Sequence, residues 1–254
     1  MIGKRFLIIS LLLALSQLLY SKILNIKGVE FEIIFGEPYA KNHKYDYEAL
    51  EGDDNDYHLA VVVLKHELFK YPQPLLKFHI HKRFYIVKSI SGSESDILEE
   101  IEGVCSSGYI VLKYEVLRSY YKRNVIHHEI FHSILGSSND YYIGKTIRDI
   151  NKCISEPKNE IPCLTYSSDY ITTYHPNTNE DLCEMFSFLM YSYRCRYNCP
   201  LIEWVNREEN KGRKLRIKVM ELIKFTKTIS SGIMNEQFYY DLMLKDQKYK
   251  LYLD

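Results

Sequence analysis

The stretch Asn124–Gly136 (NVIHHEIFHSILG) constrains this 254-residue chain more than any other. It contains His128-Glu129-x-x-His132. On an α-helix, residues four apart stand on one face one turn apart, so both imidazoles reach one point, where a metal ion fits. Glu129, one step round the helix, is placed to take a proton from a water held there. Ile126, Ile130, Phe131, Ile134 and Leu135 make the remainder apolar, as a buried helix requires. Asn124 is expected to cap the start and Gly136 to mark the end. The chain holds nine histidines, and a second His-Glu pair, His66-Glu67, shows what a chance occurrence looks like. Lys70 stands where its second histidine would be needed, so that pair reads as the polar edge of an apolar helix.

The chain opens with a short basic head, Lys4 and Arg5, followed by an almost wholly apolar run from Phe6 to Tyr20. This pattern predicts a secretory signal peptide over residues 1–21, with small residues Ala14 and Ser16, or Ser21, near the cleavage point. An uncleaved anchor is the alternative, although the run is short of the roughly twenty residues that span a bilayer. A secreted protein with no stable membrane insertion after cleavage is therefore expected. Lys plus Arg and Asp plus Glu both number 33, and no basic stripe stands out, so nucleic acid is not an expected partner. All six cysteines, Cys105, Cys153, Cys163, Cys183, Cys195 and Cys199, follow the leader, which predicts disulfides in an oxidising compartment. Cys153 with Cys163, and Cys195 with Cys199 or with others, are candidate pairs.

Two lobes are expected after the leader, an α/β lobe over about 22–115 and a helical lobe over about 116–254. Gly28–Phe35 reads as a strand, residues 36–57 as a polar loop with an acidic run at 51–56, and Leu59–Phe69 as a helix. Lys77–Ile90 is β-rich, with Phe84–Val87 central to a sheet. His79 and His81, two apart on one strand face, form a lesser metal candidate. Gly103–Gly108 reads as a small-residue loop. Tyr109, Ile110, Val111 and Leu112 form a strand just ahead of the histidine helix, either an edge that pairs with an extended substrate backbone or a plain buried strand. Further helices are expected near 178–193, 215–225 and 235–244.

Two histidines do not hold zinc well; a third protein ligand is needed, with water in the fourth position. A histidine six residues beyond His132 is one solution, but that residue is Ser138. A glutamate from a later helix is the other, and Glu180 fits it. Glu184, one turn further on the same face, can accept the outer N–H of a ligand histidine. Acidic residues also favour a helix N-terminus for electrostatic reasons alone.

Asn179-Glu180-x-x-x-Glu184 is similar to the second motif of the thermolysin-like gluzincins. The longer pattern has a tyrosine-containing turn, Asn-Glu, and then an acid and an aromatic along the helix. With its long interval from His132, it most resembles the anthrax lethal factor catalytic-domain group, over about residues 80–190. The resemblance implies a zincin-like α+β metallopeptidase fold: a small mixed sheet with an edge strand over the active-site helix, and a mainly helical C-terminal lobe. It also implies one Zn2+ per chain on His128, His132 and Glu180, with Glu129 as general base. Tyr174 is implied to hydrogen-bond the developing oxyanion, with Tyr166, Tyr170 and His175 as alternatives. Cys183 stands where the family has a small residue. The expected activity is a secreted zinc endopeptidase acting on a protein or peptide. The rival is a catalytically silent zinc-binding protein that uses its cleft for a partner.

Overall fold

Four consecutive residues with almost no exposed surface, Phe84, Tyr85, Ile86 and Val87, mark the centre of the sheet. The structure is a computed structural model, and it describes residues 21–38, 44–92, 101–138, 178–191, 199–211 and 213–250. The chain divides into two units. The first takes the described residues of 1–69 and 81–122, the second those of 70–80 and 123–254. The first unit runs on to Lys122, beyond the 115 of the expected first lobe, and Lys70–Ile80 groups with the second unit.

The first unit is built on strands β1 (Ser21–Ile26), β2 (Val29–Phe35), β3 (Tyr45–Ala49), β4 (Arg83–Gly92), β5 (Gly103–Ser106) and β6 (Tyr109–Lys113). Their order is β1-β2-β4-β6-β5, with β3 paired to β4. The neighbours β2, β4 and β6 run parallel, and β1, β3 and β5 pair antiparallel, giving a mixed sheet. Tyr85, Val87, Ile90, Val104, Tyr109 and Val111 pack together as one core cluster. Strand alternation sends Phe84, Ile86, Ile110 and Leu112, all fully buried, to the other face. Helices α1 (Asp54–Phe69) and α3 (Tyr114–Arg118) complete the unit, and α1 packs against both α3 and β1.

Several expectations change here. Tyr109–Leu112 is not an edge: β4 pairs along one side of it and β5 along the other. The reason is that Gly103–Gly108 is not a loop. Gly103–Ser106 forms β5, and Gly108, at φ +92°, turns the chain straight back into β6. The strand β1 precedes the expected first strand, joined to it through Lys27 (φ 51°) and Gly28 (φ 79°). Positive φ at both central residues is the hairpin geometry whose twist matches the strands, and the Asn25 side chain accepts from the Gly28 N–H. The acidic run at 51–56 starts a helix instead of a loop. Asp53 Oδ1 accepts from the N–H groups of Asn55 and Asp56 at 2.9 Å each. Asp56 Oδ2 returns the favour to the Asp53 N–H at 3.2 Å, a reciprocal cap that satisfies donors the helix leaves open. Lys77–His81 is likewise not strand: α2 (Gln73–Phe78) ends there, His79 caps it, and β4 begins only at Arg83.

The second unit holds α2 with α4 (Asn124–Ser137), α5 (Thr178–Met190), α6 (Leu201–Asn206), α7 (Lys214–Ile229) and α8 (Glu236–Lys250). Among the described residues it is helical, as expected of the C-terminal part. Phe131 of α4 stacks on Phe186 of α5 with ring centroids 4.2 Å apart, and Phe225 of α7 meets Phe131 edge-on at 6.2 Å. Lys218 of α7 is fully buried and pairs with Asp181 of α5 at 3.0 Å. Lys70 pairs with Asp246 at 3.1 Å, also nearly buried.

The predicted leader lies outside the described residues. No helix among the described residues is long and apolar enough to cross a membrane. Cys153, Cys163 and Cys195 also lie outside, and no disulfide joins Cys105, Cys183 and Cys199 to one another.

Candidate metal centre

Helix α4 is set by its apolar positions: Ile126, Ile130, Phe131 and Ile134 are all fully buried. It begins without a side-chain cap. Arg123 before it is already helical (φ −66°, ψ −17°), continuing a 3₁₀ turn over Tyr120–Lys122, so Asn124 is the first helical residue and not the cap. Gly136 lies inside the helix, which ends at Ser137. Serines close this end. Ser138 Oγ donates to the Ile134 carbonyl at 2.6 Å, and Ser133 and Ser137 each donate to the His79 carbonyl at 3.0 Å. The Nδ1 of His79 lies 3.3 Å from the Ser137 hydroxyl, so His79 secures the helix end and is not half of a strand-borne metal pair with His81.

The two motif histidines converge as their spacing requires. Their Nε2 atoms are 3.1 Å apart. Glu180 Oε2 stands 3.0 Å from the Nε2 of His128 and 3.3 Å from that of His132. Three donors on one ion, with bonds of about 2.0–2.2 Å in a tetrahedral shell, lie about 3.3–3.6 Å apart, so this triangle is close to the zinc arrangement. On its far side the His128 ring presents Nδ1 to Glu184 Oε1 at 3.1 Å. In the neutral ring that contact holds the proton on Nδ1 and leaves the Nε2 lone pair for a metal. Glu129 sits beside His128 on the same helix and is buried.

The electrostatics favour a cation. Burial works against a charged His128, yet the hydrogen bonds to Glu180 and Glu184 and the charge of Glu129 outweigh it and push its pKa up to about 10. Glu180 is held far below the usual carboxylate range, first by its hydrogen bond to His128 and then by that to His132. With no ion bound, a proton takes the place of the positive charge. The donor set and its spacing therefore fit zinc.

Two neighbours define the frame. The side chain of His127, next to the first ligand, points the other way into the core and shares a 2.7 Å hydrogen bond with the buried Tyr71 hydroxyl. Cys183, absent from the expected ligand set, is buried one residue before Glu184, and its Sγ lies within 4.8 Å of a nitrogen of each motif histidine. Its signal was available: residues 180, 183 and 184 share one helical flank.

The structure thus brings together His128, His132, Glu180 and Glu184 and keeps Glu129 beside them. Tyr174 lies outside the described residues, as do Tyr166, Tyr170 and His175. Tyr109, Ile110, Val111 and Leu112 belong to the first unit and form the interior strand β6.

No family model, curated protein or solved structure matches the chain.

Proposed function

We propose that the chain is a secreted zinc-dependent endopeptidase of the gluzincin type, with a zincin-like fold. One observation carries this reading: the two Nε2 atoms and Glu180 Oε2 meet within 3.3 Å of one another while Glu184 takes the outer nitrogen of His128. A helix–helix packing motif has no need of two imidazoles and two carboxylates turned towards one another. The mixed α+β architecture is compatible with the fold, and the basic, apolar leader supports secretion.

Zinc in this site supplies a Lewis acid and a water whose pKa falls to about 7. The chain supplies the rest. His128, His132 and Glu180 are the ligands. Glu184 fixes the tautomer and ring orientation of His128. Glu129 takes a proton from the attacking water and delivers it to the leaving amine, a contribution of about 10²–10⁴ in rate. Its burial beside His128 keeps bulk water from competing for that proton. Tyr174 is the proposed donor to the oxyanion.

The test is Glu129→Gln in the full chain. The variant should keep one zinc per chain while peptide-library cleavage falls at least about 100-fold. Cleavage equal to that of the parent would remove Glu129 from the mechanism. A parent that holds zinc and cleaves nothing would favour the silent partner-binding reading.

A further inference from the structure

One flank of α5 presents three metal-binding side chains, and the zinc reading uses only two of them. Cys183 follows Glu180 by three residues and precedes Glu184 by one, so it shares their side of the helix. It is fully buried. A buried cysteine ordinarily behaves as a small apolar side chain. This one stands in a polar cluster: its Sγ, one ring nitrogen of His128 and one of His132 all lie within 4.8 Å of one another. With metal–sulfur bonds of about 2.3 Å and metal–nitrogen bonds of about 2.0–2.1 Å, sulfur and nitrogen donors on one tetrahedral ion stand about 3.6 Å apart. The sulfur is therefore at most about 1.2 Å beyond the separation of two donors on one ion.

We propose that Cys183 is a further metal donor, whose thiolate takes the position that hydrolysis leaves to water. The inference rests on the zinc reading and deepens it. A zinc shell filled by four protein donors is closed, whereas a catalytic shell keeps one position open. His128, His132 and Glu180 fill three positions, so Cys183 decides between the two states. On binding, the sulfur would lose its S–H proton to solvent and displace the water from the fourth position, one metal–sulfur bond replacing one metal–water bond; no oxidant or reductant takes part. On release, the sulfur would take a proton back from solvent and water would return to the open position. A thiolate in the shell also biases the site towards soft and borderline ions and away from magnesium and calcium.

The experiment titrates cobalt(II) into the reduced, metal-free full chain. The expected result is thiolate-to-cobalt charge-transfer absorption in the near ultraviolet, saturating at one ion per chain. Cys183→Ser and Cys183→Ala should lose that absorption and bind zinc about 10-fold or more weakly in competition with a chromophoric chelator. The spectrum of the parent needs no variant to fold. Cobalt bound by the parent without this absorption overturns Cys183 as a donor and leaves the zinc reading standing, as does a band that persists in Cys183→Ser. Failure of the parent to bind any ion overturns the zinc reading and this inference together.

Discussion

Glu184 Oε1 stands 3.1 Å from Nδ1 of His128, on the opposite side of the ring from Glu180. The two carboxylates sit one helical turn apart on α5 and grip one imidazole from both nitrogens. In the proposed site Glu180 would share the ion, whereas Glu184, on the other ring nitrogen, would act only through the ring. Glu184→Ala should therefore weaken zinc binding by about 10–100-fold with the ligands intact. Glu184→Gln, which keeps an acceptor but loses the charge, should fall between. Chelator competition reads both, and an affinity unchanged in Glu184→Ala would show that the ring needs no such support.

Metal binding should depend on pH in a particular direction. The folded, metal-free His128 has its pKa raised from 6.5 to about 10, so its share of stability is fully present below 6.5 and is lost as pH climbs through about 10. Glu180 is depressed from 4.5, so its share is present above 4.5 and is lost as pH falls through the lower folded value. Metal-free protein should be most stable between those limits. Zinc must displace the His128 proton, so the zinc-induced rise in Tm should grow steadily from pH 6 to pH 9. A rise that stays flat over that range would show that no proton leaves.

The stack of Phe131 on Phe186 ties the histidine helix to the glutamate helix. Both rings are fully buried. Phe131→Ala or Phe186→Ala should cost about 3–5 kcal/mol and lower zinc affinity as the two helices lose register. Denaturant unfolding and metal content together check this. A variant that loses stability but binds zinc as the parent does would uncouple packing from the site.

Lys218 is wholly buried against Asp181, the residue that follows Glu180. Lys218→Met leaves a buried carboxylate without its partner and should cost about 3–5 kcal/mol. The double variant Lys218→Met with Asp181→Leu should recover most of that loss, since an apolar pair of similar volume is often as stable as the ion pair. A thermodynamic cycle over the four proteins measures the coupling, and additive losses would show that the pair does not act as a unit.

The helical half of the site was the part most open to reading from sequence. His128 and His132, and then Glu180 and Glu184, are each four apart on one helix, so local periodicity alone puts each pair on a common face. Cys183 escaped because a cysteine between Leu182 and Met185 also fits the apolar pattern of the same helix. The sheet was harder. Gly103–Ser106 has low intrinsic strand preference and becomes a strand only through its pairing with Tyr109–Leu112, which no local pattern encodes. Ser21–Ile26 merges in composition with the apolar run before it. The reciprocal cap at Asp53 and Asp56 shows the opposite failure: an acidic run read as solvated loop was a helix start whose three-residue spacing could have been recognised.

The partners of α4 come from both directions along the chain. Tyr71 reaches His127 across 56 residues and His79 reaches Ser133 across 54, both from upstream, while Glu180 reaches His128 across 52 from downstream. During synthesis from the N-terminus, the scaffold behind the histidine helix is available as soon as that helix emerges, but the carboxylates in front of it are not. When residue 140 has been added, the histidine helix carries its two imidazoles and Glu129 but neither Glu180 nor Glu184. In the proposed site, metal loading would accordingly wait for the arrival of α5.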